Sequence, residues 1–170
     1  RTLTRIAHEI VERNRGVEDL ALVGVRTRGV HLARRLARSL KEITGQDVPN
    51  GALDITLYRD DLMTIGPTPV VGASELPESG IDDRNIVIVD DVLYRGRTAR
   101  ATLDELTDWG RPRRIFLCVL VDRGGRELPI QPDIVGREVP VMENQRVDVL
   151  VPALDGRLGV EIAFLDAESQ

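Results

Sequence analysis

Ile86-Val87-Ile88-Val89-Asp90-Asp91-Val92-Leu93-Tyr94-Arg95-Gly96-Arg97-Thr98 brings together four β-branched residues, two adjacent acids and a glycine-containing turn. The unbroken β-branched run fits a strand buried on both faces, as in a parallel sheet. The loop Asp90 to Thr98 follows, and then a helix to Trp109 that closes at Gly110. Two acids that end a buried strand cost heavy desolvation unless something pairs with them. Asp90 and Asp91 therefore face a ligand, or one of them caps the next helix. A phosphate suits the turn, because backbone N–H groups and the positive end of the helix dipole converge there and the Thr98 hydroxyl adds a donor. The carboxylates beside it can hold ribose hydroxyls.

Upstream, the apolar run Leu20 to Val25, the loop Arg26-Thr27-Arg28-Gly29 and a helix with the stripe Val30, Ala33, Leu36, Ala37 and Leu40 up to Gly45 form a second strand, loop and helix. Ile115 to Val121 is another buried-looking strand. Three such runs separated by helices predict an α/β fold, with a central, mainly parallel sheet flanked by helices and ligands bound beyond the carboxyl ends of its strands. Both loops, Arg26 to Gly29 and Asp90 to Thr98, then belong to one site. The first segment is an amphipathic helix, with Leu3, Ile6, Ala7, Ile10 and Val11 on one face and Arg1, Thr4, Arg5, His8 and Glu12 on the other. Leu53 to Tyr58 reads as a strand. Arg59 to about Arg84, rich in Pro, Gly and charge without a sustained period, reads as a mobile arm or lid. After Val121 come short strands and turns, with Asp148 to Val151 and Val160 to Leu165 as a late hairpin or edge pair.

With 170 residues, 42% of them hydrophobic, the chain suits one domain over 1–170. A net charge of −5 excludes a globally basic nucleic-acid binder and confines any RNA site to a local patch. The lone Cys118 lies in an apolar run, which points to a buried reduced thiol and a cytoplasmic setting. No apolar stretch approaches the ~18–20 residues of a membrane span, and the opening segment is charged and amphipathic, so a soluble protein without a membrane partner is expected.

Val89-Asp90-Asp91-Val92-Leu93-Tyr94 with Gly96-Arg97-Thr98 resembles the 5-phosphoribosyl pyrophosphate signature of type I phosphoribosyltransferases, in the form carried by their pyrimidine-operon regulatory branch. Likeness to that branch extends along the chain through Leu3-Thr4-Arg5-Ile6-Ala7-His8-Glu9, Thr27-Arg28-Gly29, Asp54 to Leu62, Gly110-Arg111-Pro112, Val119 to Gly124 and Arg126-Glu127-Leu128-Pro129. The resemblance implies the type I phosphoribosyltransferase fold with a small hood and a flexible β arm. It implies that Asp90 and Asp91 contact the ribose hydroxyls, that Leu93, Tyr94, Arg95, Gly96, Arg97 and Thr98 wrap the 5-phosphate, with Val89 and Val92 flanking, and that Arg26, Thr27, Arg28 and Gly29 hold the pyrophosphate. Arg59 is implied on the arm that folds over substrate and counts with Asp90 and Asp91 as catalytic. Closure of that arm would exclude water from the ribosyl cation-like transition state. Mg²⁺ accompanies the diphosphate. No protein residue is assigned to the metal. The partners implied are uracil, UMP or UTP and the messenger leader of a pyrimidine operon, contacted by Thr4, Arg5, His8 and Arg126, in a homo-oligomer.

Five departures stand out. Arg95 replaces a threonine of the family's turn, Val141 and Met142 replace a threonine and a small polar residue, and Gly125 and Gln131 stand where the family has His and Arg. Three functions are therefore carried forward. The leading one is an operon regulator that also makes UMP and pyrophosphate from uracil and phosphoribosyl pyrophosphate. The others are a non-catalytic, nucleotide-sensing RNA-binding module, and a salvage transferase without an RNA function.

Overall fold

The computed structural model describes residues 1–55 and 74–165. In chain order these form α1 (Thr2–Asn14), β1 (Leu20–Val25), α2 (Arg28–Thr44), β2 (Asn50–Leu53), β3 (Asn85–Leu93), α3 (Arg97–Trp109), β4 (Arg114–Asp122), β5 (Ile134–Glu138), β6 (Gln145–Leu150), α4 (Pro152–Asp155) and β7 (Gly159–Phe164). The first five strands make one sheet in the order β2-β1-β3-β4-β5, and every pairing in it is parallel. Strands β6 and β7 form a separate antiparallel pair.

Alternation along the strands supplies both faces with apolar side chains. Leu20, Leu22, Val87, Val89, Cys118 and Leu120 meet Leu3, Ile6 and Ile10 of α1 and Leu32, Leu36 and Leu40 of α2. On the opposite face Ala21, Val23, Ile86, Ile88, Leu117 and Val119 meet Ala99 and Leu106 of α3. Each fully buried Leu or Ile of this kind contributes about 1.5–3 kcal/mol. Burial also pushes the Cys118 thiol up to about 12, helped by the negative charges of Glu9 and Asp133.

The sequence-based boundaries shift in places. The second strand occupies Asn50–Leu53 instead of beginning at Leu53, because its backbone aligns with β1 from Leu22↔Asn50 to Val25↔Leu53. Pairing with β4 at Asp90, Val92 and Leu93 carries β3 on to Leu93, so the expected loop begins later and spans only Tyr94 to Gly96. A fifth parallel strand, β5, stands within the stretch read as short strands and turns. The late hairpin is present, with Val149 opposite Val160. Of the expected arm, Ser74 to Arg84 is described. There Glu75 bridges Ala52, and Pro77 packs so close to Gly51 that a Cβ on that glycine would lie 2.7 Å from the proline ring. Arg59, the stretch to Tyr58 and the rest of the arm lie outside the described residues. Among the described residues no helix is long and apolar enough to cross a membrane.

The sheet order places the site. The crossover from β1 runs outward to β2, whereas β3 returns on the other side of β1, so the strand order reverses between β1 and β3. Pairing of these two strands ends at Gly24↔Val89. Beyond it Val25 leads into Arg26 to Gly29 while β3 continues beside β4, and a crevice opens between them.

Candidate active site

A cavity of about 420 Å³ occupies that crevice, with Arg26, Thr27 and Arg28 contributed by β1 and its turn, Asp90, Asp91 and Thr98 by β3 and the start of α3, and Asp54 by the residues after β2. The turn after β1 is pressed against the sheet. A Cβ on Gly29 would strike the Val89 carbonyl oxygen, and one on Gly24 would lie 2.6 Å from the Gly29 oxygen. Only glycine permits this approach of backbone to backbone. The Arg26–Thr27 peptide bond is cis.

Each acid of the pair is oriented by its neighbour's backbone. Asp90 Oδ1 accepts the Asp91 N–H at 2.8 Å, and Asp91 Oδ1 accepts the Val92 N–H at 2.8 Å. Neither caps α3. The N-cap is Gly96, at φ 98° in the left-handed region, with no side-chain cap bond. The first N–H groups of α3, beginning at Arg97 and Thr98, consequently have no helical carbonyl partner, which is the arrangement an anion requires.

The turn Tyr94 to Gly96 is held from behind by the segment after β4. Arg95 offers its carbonyl to the Glu127 N–H at 2.9 Å, and Tyr94 offers its own to Arg126 Nη1 at 2.8 Å. The Arg95 guanidinium is turned outward, 3.2 Å from Glu127 Oε1 and 5.0 Å from the Tyr94 ring centroid. Arg97 pairs with the same carboxylate at 3.1 Å. On the inner side the guanidinium of buried Arg123 stacks 3.8 Å from the Tyr94 centroid and donates to the Met142 carbonyl at 3.1 Å. The departure at Arg95 is therefore absorbed by Glu127 and the Tyr94 ring, while Val92 and Thr98 on either side of the turn line the cavity.

Arg28 lines the cavity, and its guanidinium is held by β6 and α4. Its Nε donates to the Val149 carbonyl at 2.7 Å, and its Nη2 lies 3.1 Å and 3.4 Å from the two Asp155 oxygens. The Val151 N–H bond to Asp155, opposed in part by desolvation and supported by Arg28, holds that carboxyl below its ordinary value.

Of the RNA candidates, Thr4, Arg5 and His8 share α1, and Arg126 belongs to the segment after β4. Thr4 and His8 are exposed on α1. Arg5 of the same helix pairs with Glu9 at 2.7 Å and reaches the carbonyl oxygens of Val135 and Gly136, tying α1 to β5. Arg126 lies past β4, where its guanidinium bonds Asp122 at 2.6 Å, the Ile130 carbonyl at 2.8 Å and Gln131 at 3.2 Å. Its side chain is only 13% exposed, so much of its bonding capacity is spent inside the fold. A Cβ on Gly125, at φ 78°, would run into the Tyr94 ring, so glycine is required by this arrangement. Sequence reading missed Arg123, Glu127 and Asp155. Their long-range partners are 19 to 127 positions away, and the only local signal was a charged residue near a turn.

Among the described residues no group of three or more His, Cys, Asp or Glu is placed to hold a metal ion. A Mg²⁺ bound chiefly by the oxygens of a diphosphate and ribose needs only one or two carboxylates from the protein, and the Asp90–Asp91 pair fits that need.

Comparison with known proteins agrees with this fold. The profile of the family described as phosphoribosyl transferase domain matches residues 1–154. A relative from Thermus aquaticus named Bifunctional protein PyrR is 59% identical over 162 residues, spanning 95% of this chain and 89% of its own length. One of the same name from Roseiflexus is 57% identical over 97% of this chain and 88% of its own, and one from Deinococcus radiodurans is 54% identical over 95% and 88%. Among solved structures, hypoxanthine phosphoribosyltransferase from Trypanosoma cruzi superposes with a TM-score of 0.70 at 20% identity, covering 98% of this chain and 90% of that one. The Bacillus anthracis hypoxanthine-guanine enzyme gives 0.66 at 21%, over 82% and 77%. At such identities these two likenesses speak for the fold alone, which is that of the type I phosphoribosyltransferases. On the profile match and the high identity over nearly its full length, the chain belongs to the phosphoribosyl transferase family, among the relatives named Bifunctional protein PyrR.

Proposed function

We propose that this chain transfers the phosphoribosyl group of 5-phosphoribosyl pyrophosphate to uracil, giving UMP and pyrophosphate, and regulates a pyrimidine operon by binding its leader RNA when loaded with uridine nucleotide. The observation that carries the enzymatic half is the cavity between β1 and β3, where an arginine-bearing turn faces two carboxylates across the start of a helix. In the reaction the uracil N1–C1 bond forms as the bond from C1 to the pyrophosphate oxygen breaks, the electron pair of that bond leaves with pyrophosphate, and the N1 proton passes to water. The N–H groups at the start of α3 hold the 5-phosphate, the backbone of Arg26 to Gly29 takes the charge that develops on the departing diphosphate, and Asp90 and Asp91 orient the ribose hydroxyls. Mg²⁺ would be held with the substrate's own oxygens by Asp90 and Asp91, and would neutralise part of the charge of the diphosphate. Arg59 is assigned to the arm that covers the substrate.

The regulatory half is supported by the relatives' shared name and by the exposed Thr4, Arg5 and His8 on α1, with Arg126 assigned to the same role. The single domain works in the cytoplasm as a homo-oligomer, with UMP or UTP as effector. Titrating a pyrimidine-operon leader RNA with and without UMP tests this half. Tighter binding with UMP is expected, and equal, weak binding in both arms would leave a transferase without an RNA function.

A further inference from the structure

Arg28 is the first residue of α2 and lines the cavity, and its guanidinium is bonded to residues more than 120 positions along the chain. It donates to the Val149 carbonyl at the end of β6 and to both oxygens of Asp155 in α4. Asp155 is itself fixed, because its Oδ2 accepts the Val151 N–H at 2.8 Å. The pair is half-buried, with side chains 37% and 19% exposed, so it is screened less than a surface ion pair. From the inner side the same turn is wedged by Gly29 against Val89. The turn is thus gripped on both sides, by a glycine contact within and by Arg28 without.

We infer that Asp155 is a positioning residue for the diphosphate loop. It holds Arg28, and through Arg28 the backbone of Thr27 to Gly29, in the shape whose N–H groups receive the diphosphate. Arg28 itself does not meet the ligand. This rests on the reading of Arg26 to Gly29 as the diphosphate loop.

The two possible roles of Arg28 predict opposite signs. If its guanidinium met the diphosphate, Asp155 would compete for it, and Asp155→Asn would tighten binding. If Asp155 is the anchor, the same change loosens the loop and weakens binding. Asparagine keeps an oxygen for the Val151 N–H, so the turn into α4 survives. The test is calorimetric affinity for phosphoribosyl pyrophosphate with Mg²⁺, and separately for UMP, in the wild type, Asp155→Asn, Arg28→Ala and the double variant, with a melting curve for each. UMP carries no diphosphate and serves as the internal control. Losing a charged hydrogen bond that shapes the loop should weaken phosphoribosyl pyrophosphate roughly tenfold in either single variant, with UMP changed by less than about twofold. The double variant should be no worse than either single one. Should Arg28→Ala fail to fold, Arg28→Lys, which keeps the charge and one donor nitrogen, should show a smaller loss of the same selectivity. Tighter binding in Asp155→Asn, additive losses, or equal losses for both ligands would overturn the assignment. A wild type that binds UMP but not phosphoribosyl pyrophosphate would remove the loop reading beneath it, and this inference with it.

Discussion

Replacing Arg95 by threonine restores the residue usual in the family's turn and separates two consequences of the structure. The arginine makes an ion pair with Glu127 at 3.2 Å, with the two side chains 55% and 43% exposed, which is worth about 0.2–1 kcal/mol. Its guanidinium lies 5.0 Å from the Tyr94 centroid, which adds about 0.5–1 kcal/mol. The Glu127 and Leu128 N–H bonds to the Arg95 carbonyl are main-chain and survive. Arg95→Thr should therefore cost about 1–2 kcal/mol of stability, a fall of some 2–8 °C in melting temperature for a chain of this size. Ligand affinity follows a different ledger. The threonine hydroxyl offers a neutral hydrogen bond worth about 0.5–1.5 kcal/mol, so affinity for phosphoribosyl pyrophosphate should rise by no more than about tenfold. Calorimetry and steady-state UMP formation on both proteins measure the change. A gain of several hundredfold in UMP formation would refute the reasoning, since it would mean that Arg95 obstructs the phosphate turn.

Gly29→Ala should drive a methyl group into the Val89 carbonyl and to 3.3 Å from the Asp90 Cα. Overpacking of that kind costs about 1–3 kcal/mol, and because it pushes β1's turn away from β3, phosphoribosyl pyrophosphate affinity should fall further than the melting temperature alone implies. Full affinity in a destabilised variant would separate the turn from the site. Cys118 should resist alkylation in the native protein at pH 7 and react only after denaturation, because the fold raises its pKa from 9.0 to about 12. Between pH 9 and about 12 the unfolded chain releases a proton that the folded chain retains, so stability should fall across that window in the wild type and less in Cys118→Ala. Rapid native labelling at neutral pH would contradict the burial.

Much of the fold could be read in the sequence because buried parallel strands carry unbroken apolar runs. Leu20 to Val25, Ile86 to Val89 and Ile115 to Val121 announced the three central strands, and glycines marked the ends of α2 and α3. The outer strands were less visible. Asn50-Gly51-Ala52-Leu53 has almost no β-branched character and becomes a strand through its register with β1, while β5 offers only Ile134 and Val135 before Gly136. The two loops of the candidate site were legible because backbone phosphate binding demands glycines, acids and arginines in short order. Side-chain direction was not. Arg28 and Arg95 both sit in the expected turns, yet each turns toward a distant carboxylate, Asp155 or Glu127, that only the tertiary fold brings near. Arg5 and Arg126 likewise read as surface donors and serve in part as internal ties.

The central claim is that the crevice between β1 and β3 carries phosphoribosyl transfer through Asp90 and Asp91. Its most direct measurement is the rate of UMP formation from uracil and phosphoribosyl pyrophosphate with Mg²⁺, for the wild type, Asp90→Asn and Asp91→Asn, alongside melting curves. The account predicts turnover in the wild type and its loss in both variants with melting temperatures nearly unchanged, since each substitution removes a charge directed at the ligand. Wild-type turnover in both variants would contradict it.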